Sequence, residues 1–163
     1  MHPNAELITR FYSAWEAGDH ETMARCYADN ARFSDPVFPD LDAERVSAMW
    51  RMFCVSGNEI AVSFGAVEGD DERGSANWNA SYAFPKTGRR IDNKIAASFE
   101  FESGLIVGHV DSFDFYRWTR MALGLTGVLL GWTPVLQGRV RAQAAVQLAR
   151  FQAEETRAGS SDE

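Results

Sequence analysis

A chain of 163 residues, 45% hydrophobic and 24% charged, fits one soluble domain, large enough to bury roughly 70% of its unfolded surface. The net charge of −7 argues against a binder of nucleic acid or of anionic membrane, since both need a basic surface to neutralise phosphate. Cys26 and Cys54 lie far apart and no export signal opens the chain, which predicts two free thiols in a cytoplasmic protein.

In chain order, Leu7, Ile8, Phe11, Tyr12 and Trp15 fall at helical spacing and predict a helix over 4–17, closed at Gly18. Asp19 suits the cap of a second short helix with Met23, Cys26 and Tyr27 on its apolar side. "ADNARFSDPVFPDLD" reads as a short strand and a proline-punctuated loop. Val46, Met49, Trp50 and Phe53 then return to helical spacing over 43–55. Strands follow: first 60–67, then "SANWNASYAF", where Ala76, Trp78, Ala80, Tyr82 and Phe84 alternate with Asn77, Asn79 and Ser81. "IDNKIAASFEF" and "LIVGHVDSFDFYRW" come next, joined by a tight "ESG" turn, and the pattern is helical again from Trp118.

Thr133 and Pro134 look like the cap and first turn of a helix with the stripe Leu136, Val140, Ala144, Leu148 and Phe151. The run "MALGLTGVLLGW" is too short to span a bilayer, but Met121, Leu125, Leu129 and Trp132 make an apolar surface that must be covered, by the domain or by a second subunit. Residues 1–157 are read as one domain, 119–157 being a helical extension and 158–163 a disordered tail. Helices, a strand meander and more helix make an α+β order. A curved sheet wrapped around the N-terminal helices would leave a concave interior suited to a ligand.

His109 and Asp111 are two residues apart, so a strand points both to one face, shared with Val107, Phe113 and Phe115. A buried imidazole and carboxylate must be paired or have shifted pKa values, either as a structural pair or as part of a site. Asp35, between Phe33, Pro36 and Phe38, is either a turn former or a base held near a pocket. Trp78 and Tyr82, with Phe11 and Trp15 opposite, are core packing or an aromatic wall for a ring-containing ligand. No metal motif, phosphate loop or nucleotide fingerprint occurs, and no cofactor is indicated.

"LITRFYSAWEAGDHETMARCYADNARFSDPVF" and the last strand "GLIVGHVDSFDF" resemble the nuclear transport factor 2-like superfamily, more narrowly its ketosteroid-isomerase and SnoaL-type polyketide-cyclase branch. The resemblance covers residues 5 to 118. It implies a cone-shaped α+β barrel with a deep apolar pocket, a small lipophilic ligand and a homodimer formed through the outer sheet face. It places the isomerases' general base on Asp35, but their tyrosine and aspartic-acid oxyanion donors on Phe11 and Ala97, with Tyr12 one residue away. The epoxide hydrolases' Arg-x-Asp pair falls on Trp78 and Ala80, and their last-strand acid on Asp111. Authentic steroid isomerase and epoxide hydrolase activities are therefore not expected. The polyketide-cyclase pattern of a pocket His and Asp is met loosely by His109 and Asp111.

Three readings follow. The first is a cofactor-independent enzyme on a lipophilic carbonyl or polyketide-like compound, with Asp35 as base, His109 and Asp111 as partners, and Phe11, Tyr12, Trp15, Phe33, Trp78, Tyr82, Ala97 and Phe113 lining the pocket. The second is a non-catalytic carrier. The third is an interaction module whose cone is filled by its own side chains. A filled interior beside Asp35 would remove the first two.

Overall fold

A computed structural model describes residues 1–161. Local chemistry sets its helix ends. α1 (Pro3–Ala17) begins where His2 Nδ1 accepts the Asn4 N–H and ends at Gly18 in the left-handed conformation, φ 69°. Asp19 caps α2 (His20–Arg25) at the Thr22 N–H, and Asp42 caps α3 (Ala43–Val55) at the Arg45 N–H. The buried faces of α1 and α3 carry the apolar residues that the periodicity predicts. Tyr27 does not belong to α2: it opens β1 (Tyr27–Ser34).

The other strands are β2 (Leu41–Asp42), β3 (Ala61–Gly69), β4 (Arg73–Ala83), β5 (Arg90–Glu102) and β6 (Leu105–Ser112). They form one mixed sheet in the order β2-β1-β6-β5-β4-β3, with β1 and β6 the parallel pair. The expected α+β architecture is present, but the sheet is not closed into a barrel. β2, one edge, is only two residues long and cannot bridge to β3, so α1 and α3 fill the concave side. Alternation along β5 buries Ile91, Asn93, Ile95, Ala97, Phe99 and Phe101, and Ala76, Trp78 and Ala80 continue that face on β4. Ser103 (φ 51°) and Gly104 (φ 75°) make the tight β5–β6 turn, whose two positive φ angles suit the twist of a hairpin.

Two departures from the expected pattern matter for the site. In β6, Glu100 faces Gly108 but Phe101 faces Ile106, so Val107 is an extra residue. This bulge shifts the alternation: Ile106, His109 and Asp111 are buried together, and Val107 leaves the inner face. The strand also ends at Ser112, because the Asp114 carboxylate accepts the Arg117 N–H and starts α4 (Phe115–Leu123). Phe113 therefore lies in the connection and Phe115 in a helix, neither of them on the strand face of His109.

The extension continues with α5 (Leu125–Leu130) and α6 (Pro134–Ser160). Thr133 caps α6, and Leu136, Val140, Ala144, Leu148 and Phe151 are its half-buried or buried stripe, as expected. Residues 158–160, expected in a disordered tail, are helical, the Ser160 hydroxyl bonding back to the Thr156 carbonyl; residues 162 and 163 of that tail lie outside the described residues. Arg51 ties α3 to α6 through two bonds of 2.5 Å to Glu155. Phe115, Trp118 and Ala122 of α4 pack on Ile91, Tyr82 and Phe84, closing the wide end of the concave side. No helix of the described residues is long and apolar enough to cross a membrane. Both cysteines are free, and burial raises their pKa values, that of Cys54 to about 11, which suppresses the reactive thiolate.

α5 lies so close to α4 that a Cβ on Gly127 would stand 2.0 Å from the Thr119 carbonyl oxygen. Gly127→Ala should therefore destabilise the fold by about 1–3 kcal/mol, with Tm falling roughly 2–4 °C per kcal/mol, measurable by calorimetry. An unchanged Tm would mean that α5 is not docked in this way.

Candidate active site

The sequence places five polar side chains where they must satisfy one another inside an aromatic core. Trp50 Nε1 donates to Tyr27 Oη at 3.0 Å, and Tyr27 Oη lies 2.7 Å from His109 Nδ1. His109 Nε2 lies 3.0 Å from Asp111 Oδ1, which also accepts from Trp78 Nε1 at 3.2 Å. An indole N–H can only donate, so the phenol proton of Tyr27 is assigned to Nδ1, and Nε2–H then donates to Asp111. The expected His109–Asp111 pair is thus formed and satisfied. His109 is fully enclosed, with the rings of Phe11, Phe33, Trp50 and Phe99 centred 4.3–6.2 Å from its own.

Asp35 answers to both of its readings. Its Oδ1 accepts the Val37 and Phe38 N–H groups at 2.7 and 2.6 Å, forming the turn that Asp-Pro favours. The side chain is also half-buried, and its pKa is pushed up to about 7: burial is the main cause, Asp111's charge adds, and the two N–H bonds oppose. Oδ2 takes no hydrogen bond among the described residues. The neighbouring loop carbonyl, that of Pro36, accepts from Arg141 Nε at 2.8 Å, and the guanidinium stands 5.3 Å from the centre of the Phe115 ring. The extension therefore straps the Asp35 loop in place.

Tyr82, on the same end of the concave face, accepts from Trp118 Nε1 at 3.0 Å. Its pKa is raised, mainly by burial and also by the charge of Asp35. With one acceptor site used by an indole, its own O–H is left to donate and has no acceptor among the described residues.

The deep pocket expected from the resemblance is filled, and that counts against both ligand readings except at the half-buried surface that Asp35, Tyr82 and Phe113 keep. Phe11, Tyr12, Trp15, Phe33, Trp78 and Ala97 are all closed core residues, so they do not line open space. Trp78 in particular is an anchor for Asp111. Only Tyr82 and Phe113 of the expected lining keep part of their surface, both at the wide end near Asp35. Tyr12 does face the interior, stacked on Phe64, and its hydroxyl and the Trp15 indole N–H are enclosed donors without a partner among the described residues. Two surface concavities, of about 500 and 310 Å³, lie elsewhere: one on the outer sheet face among Arg32, Ser98, Glu100 and Val110, the other between α2, β1 and α3. Among the described residues no three His, Cys, Asp or Glu side chains converge as a metal site requires.

Three participants escape a reading by sequence. Tyr27 and Trp50 look like ordinary core aromatics, and nothing local marks Tyr27 as bonded to His109 of the distant β6, or Trp50 as bonded to Tyr27. Asn93 is different. It is 7% exposed on the inner face, between Ile91 and Ile95, with no side-chain bond to the protein among the described residues. Its place in the two-residue alternation of β5 is a usable signal of a polar group aimed inward.

Tyr27→Phe removes the acceptor of Trp50 and the partner of His109 Nδ1, leaving two buried polar atoms unpaired. Urea unfolding should show a loss of roughly 1–3 kcal/mol or more. Asp35 makes a pH prediction of unusual sign. With a folded pKa of about 7 against an unfolded value near 3.9, the unfolded chain gives up this proton first as pH rises. Asp35 therefore lowers stability progressively between about pH 4 and 7, by a few kcal/mol at most, and fully above that range. Asp35→Asn keeps an acceptor for the turn and removes the titration. Its stability relative to the parent should rise across that window, and a difference flat with pH would mean a solvated Asp35.

Comparison with known proteins agrees with this fold. No curated protein matches the sequence. A solved nuclear transport factor 2-like protein of unknown function from Burkholderia pseudomallei superposes with a TM-score of 0.65 at 17% identity, covering 76% of this chain and 100% of the other. An M. tuberculosis epoxide hydrolase of the LEH-like type gives 0.63 at 17% identity over 78% and 96%. IdmH, a candidate polyketide cyclase from Streptomyces antibioticus, gives 0.60 at 19% identity over 72% and 96%. At these identities the likeness is one of fold. The family model for the SnoaL-like domain matches residues 8–109, most of the chain from α1 to His109, and the protein belongs to that family.

Proposed function

We propose that the protein is a cofactor-independent acid/base catalyst acting on a small lipophilic carbonyl compound, of the polyketide-like class, with Asp35 as base. The observation that carries this reading is Asp35 itself. One oxygen is pinned by its own turn, the other has no partner among the described residues, and its pKa is pushed up to about 7. A carboxylate of that basicity is suited to take a proton from carbon near neutral pH. The C–H bond beside the carbonyl breaks, Asp35 takes the proton, and the electron pair moves to the carbonyl oxygen. The O–H of Tyr82, whose oxygen accepts from Trp118, would be the donor to that oxyanion in this reading. The enolate then recovers a proton at another carbon or closes on a second carbonyl.

With the interior filled, the substrate would sit on the half-buried surface that Asp35, Tyr82 and Phe113 keep. His109 and Asp111 are enclosed in the core, and in this reading they act as positioning residues, Asp111's charge adding to the raised pKa of Asp35. The superposition on a candidate polyketide cyclase supports the same class of substrate. Binding without chemistry is the second reading, favoured by Phe11 and Ala97 where the isomerases carry their oxyanion donors.

The test is exchange of carbon-bound protons in deuterated water, followed by NMR, across a panel of small ketones and 1,3-diketones. Exchange should rise with pH through about 7 and fall about 10²–10⁴-fold in Asp35→Asn. Tyr82→Phe should cost roughly 10²–10³-fold. Background exchange throughout, with saturable binding of the same compounds, would sink the catalytic reading and leave the second.

A further inference from the structure

Charge is divided sharply along this chain. Residues 115–153 hold five arginines and no acidic residue, whereas residues 1–114 hold ten basic and nineteen acidic ones. The cationic stretch is α4, α5 and most of α6, and it also carries the largest concentration of exposed apolar side chains. Leu125, Leu129, Trp132 and Val135 are each 60–73% exposed, and Val128 and Leu130 are about half exposed, all within eleven residues. A patch of this kind on a folded domain marks an interaction surface.

Arginines rim it. Arg120 stands 4.8 Å from the centre of the Tyr116 ring, and Tyr116 Oη donates to the Val128 carbonyl, so Arg120 flanks α5. Arg89, from the β4–β5 turn, donates to the Met121 carbonyl at 2.8 Å and lies against Gly124, beside Leu125. Arg139 is exposed one helical turn beyond Val135. None of the three has a carboxylate within 4.0 Å among the described residues.

We propose that α5 and the first turn of α6 are a docking face for an anionic lipid bilayer. Leu125, Leu129, Trp132 and Val135 would enter the boundary between headgroups and acyl chains, and Arg89, Arg120 and Arg139 would meet acidic headgroups. The charge pattern selects this occupant. A second copy of the chain would set arginine against arginine with no carboxylate between them. A partner helix would need a groove, and neither surface concavity includes a residue of this face. A lipid surface asks only for apolar depth and a cationic rim. Trp132 fits such a boundary, its indole N–H already bonded to the Leu129 carbonyl and its ring outside. The net charge of −7, which led to the expectation of no membrane partner, averages over a chain whose acids lie outside residues 115–153. This inference does not rest on the chemistry of Asp35.

The full chain should sediment with vesicles of phosphatidylcholine and phosphatidylglycerol at low salt, stay in solution with phosphatidylcholine alone, and be released by high salt. That comparison needs no variant, so misfolding cannot confuse it. Arg120→Glu and Arg139→Glu should each weaken the partition about fivefold or more, and Leu129→Glu should abolish it with an unchanged circular-dichroism melt. No sedimentation on anionic vesicles at low salt would overturn the proposal. So would a lipid-free dimer that Leu129→Glu dissolves, since a second copy would then cover the face.

Discussion

Asp111 is a carboxylate 3% exposed among aromatic rings, and an ionisable group in that position is tolerated only while its lone pairs are used. Meeting that condition draws together four elements. β6 supplies His109 and Asp111, β4 supplies Trp78, β1 supplies Tyr27 and α3 supplies Trp50. Each partner is aimed by a different backbone segment, so the register of the sheet and the seat of α3 are fixed by one hydrogen-bond chain as well as by packing. The bulge at Val107 belongs to the same constraint. Without it, the alternation set by Ile106 would turn His109 and Asp111 to the outer face of the sheet.

The chain accounts for only one oxygen of Asp111, and the carboxylate's field reaches the wide end of the concave face, where it contributes to the raised pKa of Asp35. What makes that field effective is the exclusion of water. α4 supplies it, through Phe115 and Trp118 packed on Tyr82 and Ile91, and α6 completes it through Arg141 on the Pro36 carbonyl. Helices beyond the residues that the family model matches thus pack around the loop that carries Asp35. A truncated chain would keep Asp35 and its turn but would lose the burial that makes it basic.

The bounds of α1 and α3, the cap of α6, the inward face of β4 and the aromatic interior were legible, because each rests on a local period or a cap. What was not legible follows from two kinds of ambiguity. The run from Leu105 to Trp118 alternates well enough to read as one long strand, and only the capping role of Asp114, with Phe115, Trp118 and Ala122 at helical spacing, says otherwise. The second ambiguity is volume. Phe11, Phe33, Trp50 and Phe99 could line a cavity or fill it, and their spacing is the same in either case. The choice depends on how closely α1 and α3 approach the sheet, a sum of many contacts between distant residues that no local pattern carries.

The extension also shows why a total charge is a poor guide to contacts. Its helices meet opposite demands on neighbouring residues. Trp118 faces inward and bonds Tyr82 at the site, while the carbonyl of Thr119, the next residue, lies where Gly127 must pass without a side chain. Phe115, Trp118 and Ala122 satisfy the domain, and Leu125, Leu129 and Trp132, a few residues on, satisfy nothing within it. Because α4 is held on one side by the mouth of the site and on the other by the glycine of α5, the two surfaces cannot be positioned independently. A displacement of α5 must be absorbed by α4, and α4 packs on Tyr82, whose raised pKa also carries the charge of Asp35.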